Sequence, residues 1–213
     1  MLPSSLSPDG RLGVLAPDEQ HYKEDVPQNK LVETATGRVL ADIEATTGVE
    51  HMNHGGLKAN WSKDGSLLLW VVEGKWFPRA EVLIKLESGK VVWQTNVLKE
   101  AQREILARTR KAKPEAYAAA VAHNQGKMGS AYPDGFTVDV KPSGDSGGSP
   151  SLPFVAQVTL TSNPKAIEDF PKEAQLDGVM TATIDASGKF NVTHFELGSG
   201  SNDELKKPRK QIQ

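Results

Sequence analysis

A chain of 213 residues, 38% hydrophobic and 24% charged, is long enough to bury a core without covalent staples. It has no cysteine, which excludes disulfides, thiolate metal sites, iron–sulfur clusters and a cysteine nucleophile. The formal net charge of −2 gives no basis for nucleic acid as a partner. No apolar run nears the roughly 20 residues that a bilayer span needs.

In chain order, turn chemistry dominates. Asp9-Gly10, Thr36-Gly37, Asp64-Gly65, Ser88-Gly89 and Ser187-Gly188 each separate apolar or alternating runs. Glycine accepts the positive φ of a tight turn, and the residue before it can bond the local backbone. Segments 30–43 and 81–94 therefore read as hairpins. Leu31-Val32 is expected to face Val39-Leu40, and Val82-Leu83-Ile84 to face Val91-Val92-Trp93. Between them, Ser66 to Val72 is apolar on both faces, which fits a strand covered on both sides.

The β pattern breaks at Asn96, a helix-capping residue type. Leu98, Ala101, Ile105, Thr109 and Ala112 then recur at helical spacing, and Pro114 opens an alanine-rich run to Ala122. The expectation is a kinked helical segment over about 97–123. The basic side chains from Lys99 to Lys113 read as its solvated face. Lys141 to Pro150 has linker composition. Phe154, Ala156, Val158 and Leu160 alternate with more polar neighbours, and 179–197 reads as a hairpin. The expected organisation is a β-meander plus helical segment over 1–140 and a flexible linker over 141–153. C-terminal strands over 154–198 dock on the same domain, and 199–213 form a disordered tail. The fold class is α+β: an antiparallel β-meander of blade-like hairpins, one kinked helical segment and a C-terminal β-hairpin.

Leu6-Ser7-Pro8-Asp9-Gly10-Arg11-Leu12-Gly13-Val14-Leu15 returns 55 positions later as Trp61-Ser62-Lys63-Asp64-Gly65-Ser66-Leu67-Leu68-Leu69-Trp70. Both copies resemble the strand–turn signature of WD40-like (TolB-type) propeller repeats. Leu31 to Val39 resembles the outer hairpin of such a blade. The resemblance covers about 90 residues and implies blade-like hairpins, whereas a closed propeller needs about four or more blades. The run Met52 to Trp70, with Gly129 to Phe136, also resembles exported bacterial proteins to which no activity is attached. That resemblance, with the missing cysteines, implies a periplasmic or extracellular protein, with the cytoplasm as the alternative. Met1 to Ser5 lacks the basic and apolar regions of a signal peptide, so an exported form implies a signal already removed.

Four groups of residues could carry chemistry. His51, Asn53 and His54 lie together, and a histidine pair could ligate zinc or supply a general base. Glycines flank them, the H-E-x-x-H spacing is absent, and a strand would point the two histidines apart. A structured loop is the plainer reading, and neither a metal nor another cofactor is expected. Trp61, Trp70, Trp76 and Trp93 fall within 33 positions. Trp70 and Trp93 read as core, and Trp76, Phe77 and Arg79 as an aromatic binding surface. Asp134, in Tyr132-Pro133-Asp134-Gly135-Phe136, is either turn chemistry or a carboxylate closing the histidine site. No nucleophile elbow, P-loop or dinucleotide fingerprint is present. The leading expectation is a non-enzymatic binding or interaction module for a protein or glycan. The alternatives are a hydrolase-like enzyme built on His51, Asn53 and His54, and a periplasmic regulatory or inhibitor protein.

Overall fold

In the computed structural model, residues 3–16, 29–44, 56–74, 78–124, 133–142, 149–162 and 175–198 are described. Among them are eleven strands in three antiparallel sheets and two α-helices, which establishes the α+β class. The first sheet is β1 (Leu12–Leu15), β2 (Lys30–Glu33) and β3 (Val39–Asp42), in that order. The second is β4 (Leu57–Trp61), β5 (Leu67–Glu73), β6 (Pro78–Glu87) and β7 (Lys90–Asn96), also in chain order. Helices α1 (Val97–Ala112) and α2 (Pro114–Asn124) follow on either side of Lys113. The third sheet orders its strands β11-β10-β9-β8, from β8 (Phe136–Pro142), β9 (Phe154–Ser162), β10 (Asp177–Ile184) and β11 (Phe190–Gly198). No described helix is long and apolar enough to cross a membrane.

The chain divides into two compact units. One comprises Met1–Glu100, Pro142–Val155 and Thr183–Asn191; the other comprises Ala101–Lys141, Ala156–Ala182 and Val192–Gln213. The first holds the first two sheets and one continuous core. Leu68, Trp70 and Val72 of β5 stand opposite Ile84, Val82 and Ala80 of β6, so all six share a face. They cluster with Val14 and Leu31 from the first sheet and with Ile43 just after β3. Leu67 and Leu69 on the other face of β5 are buried too, which is why the run from Leu67 to Val72 is apolar at every position.

Register departs from the expected pairing at the second hairpin. A two-residue turn at Ser88-Gly89 sets Glu87 opposite Lys90, and a bulge between Lys85 and Leu86 then shifts the ladder. Val82, Leu83 and Ile84 consequently face Asn96, Thr95 and Gln94, rather than Val91 to Trp93. The first hairpin keeps Val32 opposite Val39, with a bulge that puts Ala41 opposite Leu31.

Trp93, expected in the core, is only half-buried. Its ring lies against the 186–188 turn, its indole N–H donates to the Ala186 carbonyl at 3.0 Å, and Thr95 Oγ1 donates to the Gly188 carbonyl at 2.7 Å. Gly188 has φ +84, and an added Cβ would sit 2.6 Å from the indole, so only glycine allows this approach.

Asn96 caps α1 by accepting a bond from the Lys99 amide at 3.0 Å. In the second unit Ile105, Tyr117, Phe136, Val138 and Val140 are buried. Along β9, Phe154, Ala156, Val158, Leu160 and Ser162 are buried while the residues between them are not, the alternation of a strand with one covered face.

Candidate functional site

The two turns that repeat at a spacing of 55 are superimposable in their hydrogen bonding. In the first, Ser7 Oγ donates to Asp9 Oδ1 at 2.7 Å, the residue-11 amide donates to the same oxygen at 3.1 Å, and the Leu12 amide donates to Ser7 Oγ at 3.0 Å. In the second, Ser62 Oγ donates to Asp64 Oδ1 at 2.6 Å, the Ser66 amide donates to it at 3.0 Å, and the Leu67 amide donates to Ser62 Oγ at 2.8 Å. Each closes with the glycine amide donating to the serine carbonyl, at 2.8 Å for Gly10 and 2.9 Å for Gly65. Each reaches the neighbouring strand in the same way, through Thr34 N to Arg11 O in one and Leu86 N to Ser66 O in the other.

Both turns line one groove of about 440 Å³ in the first unit. Its charged walls are Asp9, Arg11, Glu33, Arg38, Asp64 and Lys90. Hydrogen bonds from the Ser7 hydroxyl and from the Arg11 backbone and side chain hold the Asp9 carboxyl at about 2. Those from Ser62 and from the Ser66 amide and hydroxyl hold Asp64 at about 2. Both are therefore ionised across the neutral range: fixed acceptors, too acidic to exchange protons near pH 7. The Thr36 hydroxyl, then Arg38, lowers Glu33 as well.

The two turns differ in how the carboxylate is closed. Arg11 Nε donates to Asp9 Oδ2 at 2.6 Å, so the first carboxylate is neutralised by its own turn. Ser66 occupies the matching position in the second, and its hydroxyl joins the other two donors on Asp64 Oδ1. All three of these hydrogen bonds fall on Oδ1, and Asp64 Oδ2 has no arginine against it.

Asp134 lies elsewhere, in the second unit. At φ +53 it lies in the middle of the short Pro133–Gly135 turn before β8, and its Oδ2 accepts a hydrogen bond from the Tyr117 hydroxyl and one from Arg110 at 3.2 Å. The Arg110 guanidinium lies 5.0 Å from the Tyr117 ring centroid, and that ring stacks on Phe136 at 5.3 Å. Burial, then the bond to Asp134, pushes the Tyr117 phenol up to about 12. It remains a donor at neutral pH and ties α2 to the turn. Beside it is an open apolar depression of about 400 Å³ lined by Pro114, Ala118, Val121 and Ala122. The carboxylate's two partners give it a structural job: tying together residues 17 and 24 positions away.

Of the remaining site residues expected from sequence, His51, Asn53, His54, Trp76 and Phe77 lie outside the described residues. Arg79 is exposed on β6, and Trp61 and Trp70 are buried. No group of three side chains suited to a metal ion occurs among the described residues. Reading the sequence missed the groove itself. Its signal was present in the repeated Ser-x-Asp-Gly, but that two copies 55 apart share one wall is a tertiary fact. Compared with known protein families and with curated protein sequences, the chain matches none.

Proposed function

We propose that this chain is a non-catalytic binding module and that the charged groove of its first unit is the binding face. The observation that carries this reading is the pair of equivalent turns lining one groove. Their carboxylates are locked by serine hydroxyls and backbone amides, so they present charge without reorganising when a ligand arrives. Acid–base catalysis needs a group poised near neutral pH, and Asp9 and Asp64 are far from it. Charges of both signs around the groove suit a polypeptide better than a neutral sugar, which favours aromatic stacking surfaces.

The same reading takes the first two sheets as copies of one blade-like unit. The turn-for-turn hydrogen bonding at a spacing of 55 supports it.

Amide NMR of the full chain tests the proposal. Capped heptapeptides and a panel of soluble glycans are titrated in turn. Peptide-dependent shifts are expected at Gly10, Arg11, Gly65, Ser66, Gly89 and Lys90. Shifts confined to other regions, or a response to glycans alone, would overturn it.

A further inference from the structure

Two of the groove's carboxylates are paired with arginines: Arg11 with Asp9 at 2.6 Å and Arg38 with Glu33 at 3.5 Å. The other two charges are unspent. Asp64 makes no ion pair among the described residues, and its hydrogen bonds from Ser62 and Ser66 all fall on one of its two carboxylate oxygens. Lys90, also on the wall, pairs with no carboxylate among the described residues. The geometry points to a ligand of mixed charge: a polypeptide segment that brings a basic side chain to Asp64 and a carboxylate to Lys90. The inference rests on the groove being the binding face, and it adds which chemistry the groove selects.

The two turns supply their own internal control. They share one hydrogen-bonding frame and differ in sequence at two positions, Pro8 against Lys63 and Arg11 against Ser66; at the second of these Arg11 closes the first carboxylate, whereas Ser66 leaves the second without an arginine. Arginine's planar fork suits a carboxylate, and the turn at residues 64–66 matches the one in which Arg11 already makes this contact. Replacing Ser66 by arginine should therefore fill the place that the ligand's basic group would take.

The probe is a capped Gly/Ser heptapeptide with one arginine and one glutamate two positions apart, which sets both on one side of an extended chain. Its counterparts carry glutamine at either position. Affinity is read from the Gly65, Ser66 and Lys90 amide shifts of the full chain. Against the wild type, changing the peptide's arginine to glutamine should weaken binding by about fivefold, the upper range for one exposed ion pair. Against Ser66→Arg the same change in the peptide should make no difference. Against Lys90→Gln, a surface change that leaves both turns intact, the peptide's glutamate should lose its contribution while its arginine keeps it. If the arginine contributes equally in wild type and Ser66→Arg, or nothing in either, the inference is wrong. Should all the peptides shift the groove amides alike, the binding-module reading stands and the charge selection falls. Should none shift them, both fall.

Discussion

In the second sheet the chain enters its Ser-x-Asp-Gly turn as a full strand, with Asn60 of β4 opposite Leu69 of β5. Fifty-five positions earlier the approach differs: Pro3–Ser5 is a 3-10 turn, and the first sheet has three strands instead of four. Ser5 nonetheless serves the same ladder position. Its hydroxyl accepts from the Val14 amide at 2.8 Å and donates to the Val14 carbonyl at 3.2 Å. One side chain thus closes the backbone groups that a neighbouring strand would have taken, and β1 presents no bare edge there. Pro3 stands where β4 has Lys58, and proline has no N–H to give a ladder. Trp61 pins the alternative arrangement by donating to the Ser5 carbonyl at 2.9 Å. Local hydrogen bonding at a turn can be repeated closely while the strand leading into it is replaced.

The largest contrast should appear at the position after the second apolar pair. Trp70 is fully buried between β4 and β6, whereas its counterpart Leu15 is 41% exposed. Trp70→Ala is expected to cost about 3–5 kcal/mol and Leu15→Ala about 0.5 kcal/mol or less. Denaturant midpoints at unchanged slope measure this, and equal losses would break the comparison.

Ser5→Ala comes next. It strips two buried backbone groups of their partner and should cost about 1–3 kcal/mol, with loss of hydrogen-exchange protection at the Val14 amide. Asn60→Ala keeps its backbone pairing and should change stability by no more than about 0.5 kcal/mol.

A smaller effect concerns acid. Asp9 and Asp64 titrate at about 2 in the fold, against 3.8 ordinarily. Depressed carboxyl values give stability that is fully present above pH 3.8 and fades as pH falls toward 2. Asp9→Asn and Asp64→Asn should each flatten that acid limb in a pH series of unfolding midpoints. The finest distinction is salt. Asp9 owes part of its depression to the exposed Arg11 side chain, and Asp64 owes its depression to neutral donors. At about 1 M salt the carboxyl midpoint of Asp9 should rise more than that of Asp64 by carbon-detected NMR titration. Equal rises would mean that Arg11 acts on Asp9 through its backbone amide and not through its charge.

Much of the local architecture was legible in the residues. The repeated Ser-x-Asp-Gly marked both turns because its serine and aspartate bond within five positions. Strand β5 declared double-sided burial through Leu67 to Trp70, and β9 declared one covered face through its alternation. Asn96 announced the start of α1 because capping is local. What stayed hidden was non-local. The bulge at Lys85/Leu86 set Trp93 opposite Lys85, outside the Val82 to Ile84 stretch expected to face it, and its ring found the 186–188 turn, 93 positions away. Asp134 looked like a turn or a catalytic carboxylate, and Tyr117 and Arg110 were not legible as its partners.

By itself, then, the sequence determined the short-range elements: turns whose donors and acceptors lie a few residues apart, strands with their burial period, and the start of the first helix. Tertiary structure alone decided that Ser5 replaces a strand, that three carboxylates and three basic groups meet around one groove, and that Arg11 neutralises one turn while Asp64 stays open. The physical reason is range. Turn geometry follows from bonds within a few residues, whereas a site depends on which distant side chains the packing of β-sheets brings together.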